Sequence, residues 1–367
     1  MPSKLSHPRH YAVSRPYANT MKRIGEDNYV GEQILKKLNV VADEFTFMKA
    51  ISFTFAEEIQ SLQKSGKLNN DEERLWVAQE PQDSQIYSMF CRSGRMIFNF
   101  TEDLTEAFNK SDLGDALIKD IKLPFDAFYI KFNFINEIKL FNNRPFDGTY
   151  VFRGKDSEFI GLLLVTGEGE EWPDIIDLGI NSYFNTVNGN LHFSEALEEA
   201  YEEQMKKYNS PNPEVAELYG IDESDIDTPQ KQFFQEGHET TKDLLNVIGN
   251  ALLYLSIYQE EVDAQWSDDA PKSLVTKAES PKPRLRKKAH DELWGLGYSK
   301  IRYCRSTSEP NKSMSIDNDP SVAKHWRRGH WRNQPYGKGL SERKLIWLKP
   351  CLVGKLEKPV RGRDYQI

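Results

Sequence analysis

The chain has 367 residues, 38% hydrophobic and 28% charged, which is too long for one small core and too apolar for wholesale disorder. Its three cysteines, Cys91, Cys304 and Cys351, form no CxxC pair, which argues against a disulfide framework or a thiolate zinc site and suits a reducing, cytoplasmic setting. The net charge of −8 hides an asymmetry: residues 271–367 hold 23 Lys+Arg against 9 Asp+Glu, while the preceding 270 hold 25 against 47. A basic segment on an acidic body points to a polyanionic partner, or to attraction between the two parts.

Residues 1–17 contain Pro2, Pro8 and Pro16 among Lys, Arg and His, with no apolar run, and read as a loose N-terminus. From Asp43 to Leu62, apolar residues recur at spacings of three and four, as on an amphipathic helix, while Ile51, Phe53 and Phe55 within it also alternate as a short strand would. The aromatic segments Ile86–Cys91 and Met96–Phe100 alternate as strands do, and Thr101 is placed to cap a helix with acids in its first turn. Ala127–Asn133, Thr149–Arg153 and Phe159–Thr166 read as strands, the last as a central one because it is apolar almost throughout. Ser194–Tyr208 reads as an acidic helix, Asn209–Asp227 as a loop and Thr241–Gln259 as a buried helix. The apolar part of that helix, Leu244–Tyr258, carries Asn246 and Asn250 and falls short of the roughly 20 residues that span a bilayer.

Pro271, Pro281 and Pro283, set among Ser, Asp and Lys, mark a linker. Strand-like runs follow at Gly297–Arg305, Lys324–Asn333 and Arg343–Leu348. The reading is thus an α+β fold: a flexible N-terminus 1–17, an acidic mixed helix/strand body 18–265, a linker 266–289 and a small basic β-rich module 290–367.

Within that module, Lys324–Pro350 carries the most information. Two β-compatible runs flank Pro335-Tyr336-Gly337-Lys338-Gly339, whose glycines suit a turn, so a β-hairpin is expected. In a strand, Trp326, Arg328, His330 and Arg332 share one face and His325, Arg327 and Trp331 the other. Guanidinium groups bind phosphate bidentately and indole faces stack on bases, so the interleaving suits RNA. The expected contacts are Arg327, Arg328, His330, Trp331, Arg332, Tyr336, Lys338, Arg343, Lys344 and Trp347. A solvated sheet edge with its tryptophans packed on the body is the plain structural alternative.

His325 and His330 point to opposite strand faces and would not share a metal, and no cofactor is indicated. An RNA-cleaving or toxin-like centre at His330, with Arg328 or Arg332 on the phosphate, is the enzymatic alternative, although that face offers no second acid or base. Thr166–Glu171 resembles a phosphate loop only superficially, because its three carboxylates repel phosphate and no GK[ST] follows. Gly237-His238-Glu239 lacks the second histidine of an HExxH site.

The block His325-x-Arg327-Arg328-Gly329-His330-Trp331, then a glycine-containing turn and an aromatic strand ending near Trp347 and Pro350, resembles the type V-A anti-CRISPR proteins that repress synthesis of the CRISPR effector nuclease. The order of elements is similar too: a strand-rich middle at Phe125–Asn133, an apolar helix at Leu244–Tyr258 and a basic prolyl stretch at Pro281–Lys288. The resemblance implies a protein of phages or plasmids, non-enzymatic, that recognises the nascent polypeptide of an effector during translation and lowers its mRNA. RNA or the ribosome would then meet the basic block, and neither a membrane nor a small-molecule cofactor is implied. A plain interaction protein whose tail docks on its own acidic body is the remaining alternative.

Overall fold

A computed structural model describes Pro8 and residues 86–87, 89–91, 93–133, 146–153, 159–166, 180–186, 188–209, 238–258, 264–304 and 325–353. The expected helix Asp43–Leu62, the loop Asn209–Asp227 and most of Thr166–Glu171 lie outside the described residues. The fold is α+β, with parallel and antiparallel pairing in one large sheet.

That sheet has seven strands: β1 (Met96–Phe100), β3 (Ala127–Phe132), β4 (Phe146–Arg153), β5 (Phe159–Thr166), β6 (Ile180–Asn185), β7 (Ala264–Trp266) and β8 (Lys300–Cys304). Their order is β6-β5-β4-β3-β1-β8-β7. β1 runs parallel to both β3 and β8, β3 to β6 form an antiparallel meander, and β7 closes the other side antiparallel to β8. Strand side chains alternate between faces, and here both faces are covered. On the first face lie Phe98, Phe100, Phe128, Ile130, Leu162 and Leu164; on the second lie Ile97, Tyr129, Tyr150, Leu163 and Val165. The continuous apolar run of β5 follows from this burial on both sides.

Residues 86–87 and 89–91 are helical, not extended, and Tyr87 and Phe90 pack edge-on and tilted around Tyr150 on the second face. Tertiary packing of three rings decided a segment whose alternation fits either element. α1 (Glu102–Asn109) follows Thr101 as expected, although the threonine side chain makes no cap hydrogen bond. The two-residue strand β2 (Ser111–Asp112) comes next.

Two longer helices complete the first face: α2 (Phe193–Asn209) and α3 (His238–Ile257). Leu244, Leu245, Val247, Ile248 and residues 250–255 of α3 are all buried, so this helix is enclosed all round. No helix among the described residues is long and apolar enough to cross a membrane.

The stretch 266–289, read from the sequence as a linker, holds the end of β7, all of α4 (Lys272–Ala278) and the first turns of α5 (Pro283–Gly295). Its prolines mark helix starts: Pro271 precedes α4 and Pro283 opens α5, where a missing N–H costs nothing and φ is preset. Trp266, Leu274, Ala289, Leu293 and Tyr298 form a small core of their own.

The three thiols differ sharply. Cys91 and Cys304 are buried, whereas Cys351 is exposed. Burial raises the Cys91 thiol and pushes Cys304 up to about 12. We expect the native protein at pH 8 to release one equivalent from a thiol-disulfide reagent rapidly, and three after denaturation. Rapid release of two or more would contradict the packing. Because both buried thiols hold their protons longer folded than unfolded, they subtract stability as pH rises above the unfolded thiol value of ~8.5.

Candidate nucleic-acid interface

The C-terminal hairpin is built from β9 (His325–Arg327), β10 (Gly329–Tyr336), β11 (Glu342–Leu348) and β12 (Cys351–Val353). β10 pairs antiparallel with β11, Trp331 facing Trp347 and Tyr336 facing Glu342. β12 pairs with β9 in the same register, Cys351 facing Arg327. The four strands are therefore one ribbon, interrupted at Arg328 and at Lys349–Pro350. Gly337 and Gly339 turn the tip with φ of 77° and 69°, as their place in the sequence predicts.

One face of the ribbon is sunk into the protein. Trp331 is 0% and Trp347 6% exposed, and both belong to the first-face core with Phe108 and Tyr254. The indoles stack at 6.1 Å between centroids, and Phe108 lies 5.2 Å from Trp347. Each indole N–H is satisfied inside: Trp331 Nε1 donates to Asn250 Oδ1 at 2.8 Å and Trp347 Nε1 to Ser111 Oγ at 3.1 Å. Asn250 and Asn246 in turn donate to the Ser111 carbonyl at 3.2 and 3.0 Å. The two asparagines that interrupt the apolar helix thus tie α3 to β2 and to the hairpin, since buried polar groups need partners.

The expected base-stacking role of Trp331 and Trp347 is corrected by this burial: neither ring presents a face to a ligand. A sequence run cannot reveal which face of a mixed ribbon another element covers, and here α1, β2 and α3 cover the face carrying both indoles.

The grip is close. Gly329 pairs with Ser111 and its N–H donates to the Lys110 carbonyl at 3.0 Å. A Cβ there would overlap Ser111 Oγ and approach Pro350 Cδ to 2.7 Å. Beside it, Asp115 N donates to the Trp331 carbonyl at 3.1 Å, and the Asp115 carboxylate accepts from Asn333 N at 3.2 Å. None of Ser111, Asp115, Asn246 and Asn250 stands out as a site residue in the sequence; the asparagines in an apolar helix are the signal that could have found two of them.

The remaining expected contacts stay outside. Arg327, Arg328, Arg332, Lys338, Arg343 and Lys344 are exposed and His330 is half-buried. Arg328 pairs with Asp112 at 3.0 Å across solvent. Among the described residues Arg332 bonds the side-chain amide oxygen of its neighbour Gln334, and Arg327, Arg332, Lys338, Arg343 and Lys344 have no ion-pair partner there. Arg332, Tyr336 and Lys344 share the outward face, as their register positions require. Tyr336 is 45% exposed, and its hydrogen bond to Glu342 raises its hydroxyl above the usual tyrosine value. Leu340 at the tip is 62% exposed. No cluster of three metal-ligating side chains occurs among the described residues.

The AcrVA2-like family model, described as the anti-CRISPR type V subtype A2 family, matches residues 98–355. The chain belongs to that family. The matched span takes in the sheet, α1 to α5 and the whole hairpin, including the block His325–Pro350 on which the resemblance rests. Among solved structures, "Crystal structure of AcrVA2" aligns with 93% of this chain and 100% of that one, at 16% identity and a TM-score of 0.42. No curated protein matches the sequence.

Proposed function

We propose that this anti-CRISPR family member is a non-enzymatic regulator that engages RNA, together with a nascent polypeptide of a CRISPR effector, at translation, and so lowers the effector's mRNA. The observation that carries the RNA part is the division of the hairpin. Its inner face is locked into the core by two indoles, whereas Arg332 and Lys344 on the outer face, Lys338 at the tip and the exposed Arg327 and Arg343 have no carboxylate partner among the described residues. A rigid ribbon holding guanidinium and ammonium groups in place suits a phosphate backbone, whose contacts position without reading sequence. Tyr336, rather than Trp331 or Trp347, is an aromatic exposed on that face for a base.

The nascent-polypeptide part rests on the family membership, and one feature favours it. β11 borders its three-stranded sheet, and β10 is its sole strand neighbour among the described residues. An extended peptide can add to such an edge through main-chain hydrogen bonds. The edge is charged by Arg343 and Lys344, which would favour an acidic segment.

The test is binding of full-length protein to a labelled single-stranded RNA across a salt series. Affinity should fall steeply with salt. Arg332→Gln, Arg343→Gln and Lys344→Gln together should flatten the log–log slope by about 2, at roughly 0.7 per phosphate contact. The three substituted side chains are exposed, so the melting temperature should stay near wild type. Absent or salt-insensitive binding by the wild-type protein would end the RNA reading.

A further inference from the structure

A second cationic surface lies on α5, outside the hairpin. Lys282, Arg284, Arg286, Lys287 and Lys288 fall within seven residues, and every residue from 281 to 288 is exposed. None of the five has an ion-pair partner among the described residues, although Asp291 and Glu292 follow one turn later. Some surface cations outside α5 and the hairpin's unpaired set do find partners: Lys110 with Glu106, Arg153 with Asp126 and Arg328 with Asp112.

This arrangement works against the helix that carries it. Lys282 and Arg286, and Arg284 and Lys288, are like charges at i,i+4, which repel. Lys282, Arg284 and Arg286 also sit at or within the first turn of α5, where the macrodipole disfavours cations, and no acid occupies that turn. The helix is held nevertheless, by Pro283 at its start, by Ala289 and Leu293 in the small core, and by His290, whose Nε2 lies 3.2 Å from the Ala278 carbonyl. A local rule broken on a well-anchored element is the pattern of a functional surface.

We propose that the α5 face of Arg284, Lys287 and Lys288 is a second contact for the RNA phosphate backbone, separate from the hairpin. The proposal rests on the RNA reading given above. These three side chains share one helical stripe, opposite the buried Ala289 and Leu293. A membrane surface fits poorly, because the apolar face of this helix is already buried in the protein and Leu285 is the one exposed apolar side chain in its first two turns. A protein interface fits poorly as well, since such interfaces centre on aromatic and apolar anchors with few charges.

The experiment compares full-length wild type, the triple variant Arg284→Gln/Lys287→Gln/Lys288→Gln and the hairpin triple variant on the same RNA across the same salt series. The α5 variant should flatten the log–log slope by about 2 and weaken binding several-fold at low salt. It should also melt at the wild-type temperature or slightly above it, because repulsion within the helix is relieved. A wild-type slope in the α5 variant alongside a flattened slope in the hairpin variant overturns this inference and leaves the hairpin reading standing. The reverse result upholds the α5 surface and removes the hairpin from the RNA contact. Salt-dependent binding of the α5 face to anionic vesicles or an acidic peptide, with no RNA binding by wild type, overturns both.

Discussion

Trp331→Ala is expected to lower stability by about 3–5 kcal/mol, the range for removing a fully buried aromatic side chain. The site offers no easy collapse. The indole is 0% exposed, stacks on Trp347 and meets Asn250 through its N–H. Trp331→Phe separates the contributions, since it keeps much of the apolar contact but strands Asn250 Oδ1, at a cost of roughly 1–3 kcal/mol. Denaturant unfolding of both variants reads these values. The measurement also decides between two views of the tryptophan. A core residue loses stability when truncated, whereas a stacking platform would lose RNA affinity at unchanged stability. A Trp331→Ala protein as stable as wild type would refute the buried assignment.

Gly114→Ala is expected to cost roughly 2–4 kcal/mol, combining the left-handed backbone penalty with overpacking. Gly114 has φ of 54°, and a Cβ there would run into the Trp331 carbonyl oxygen. That oxygen is main chain and already accepts from Asp115 N, so it has little room to give. Gly94 supplies the reference: its φ is also positive, at 94°, but nothing lies within 4 Å of a Cβ built there. Gly94→Ala should therefore show the backbone penalty without the collision. If the two variants unfold at the same denaturant concentration, the turn at Leu113–Asp115 does not clamp the hairpin. If Gly114→Ala is the weaker, its near-ultraviolet dichroism should also fall as the two indoles loosen.

Much of the fold was legible because its signals are local. β5 spans Phe159–Thr166 as its apolar run indicates, and α2 and α3 lie within a few residues of their periodic segments. The hairpin was readable from glycines flanked by β-compatible runs. Errors arose where distant contacts decide. Residues 86–87 and 89–91 are helical because Tyr150 offers Tyr87 and Phe90 a place to pack, and Tyr150 lies some sixty residues on. The prolines at 271 and 283 look alike whether they interrupt a linker or open helices, and only the Trp266–Leu293 core distinguishes the two. In the candidate site, the charges were legible and the burial was not. Arg332, Lys338, Arg343 and Lys344 stand in solvent as the sequence suggests, while their interleaved indoles answer to α3, some eighty residues upstream.

The bond from Trp347 to Ser111 joins positions 236 residues apart. Loop closure over such a distance comes late, because its entropy must be met before the contact returns anything. Synthesis runs from the N-terminus, so β1 to β8, α3 and the turn after α1 emerge before residues 329–348, leaving an apolar slot beside Ser111 until the ribbon arrives to plug it. During synthesis the protein would thus pass through a stage in which its basic arm is still tethered loosely to a body with an open seam, and final closure would be the step that fixes where its positive charges point.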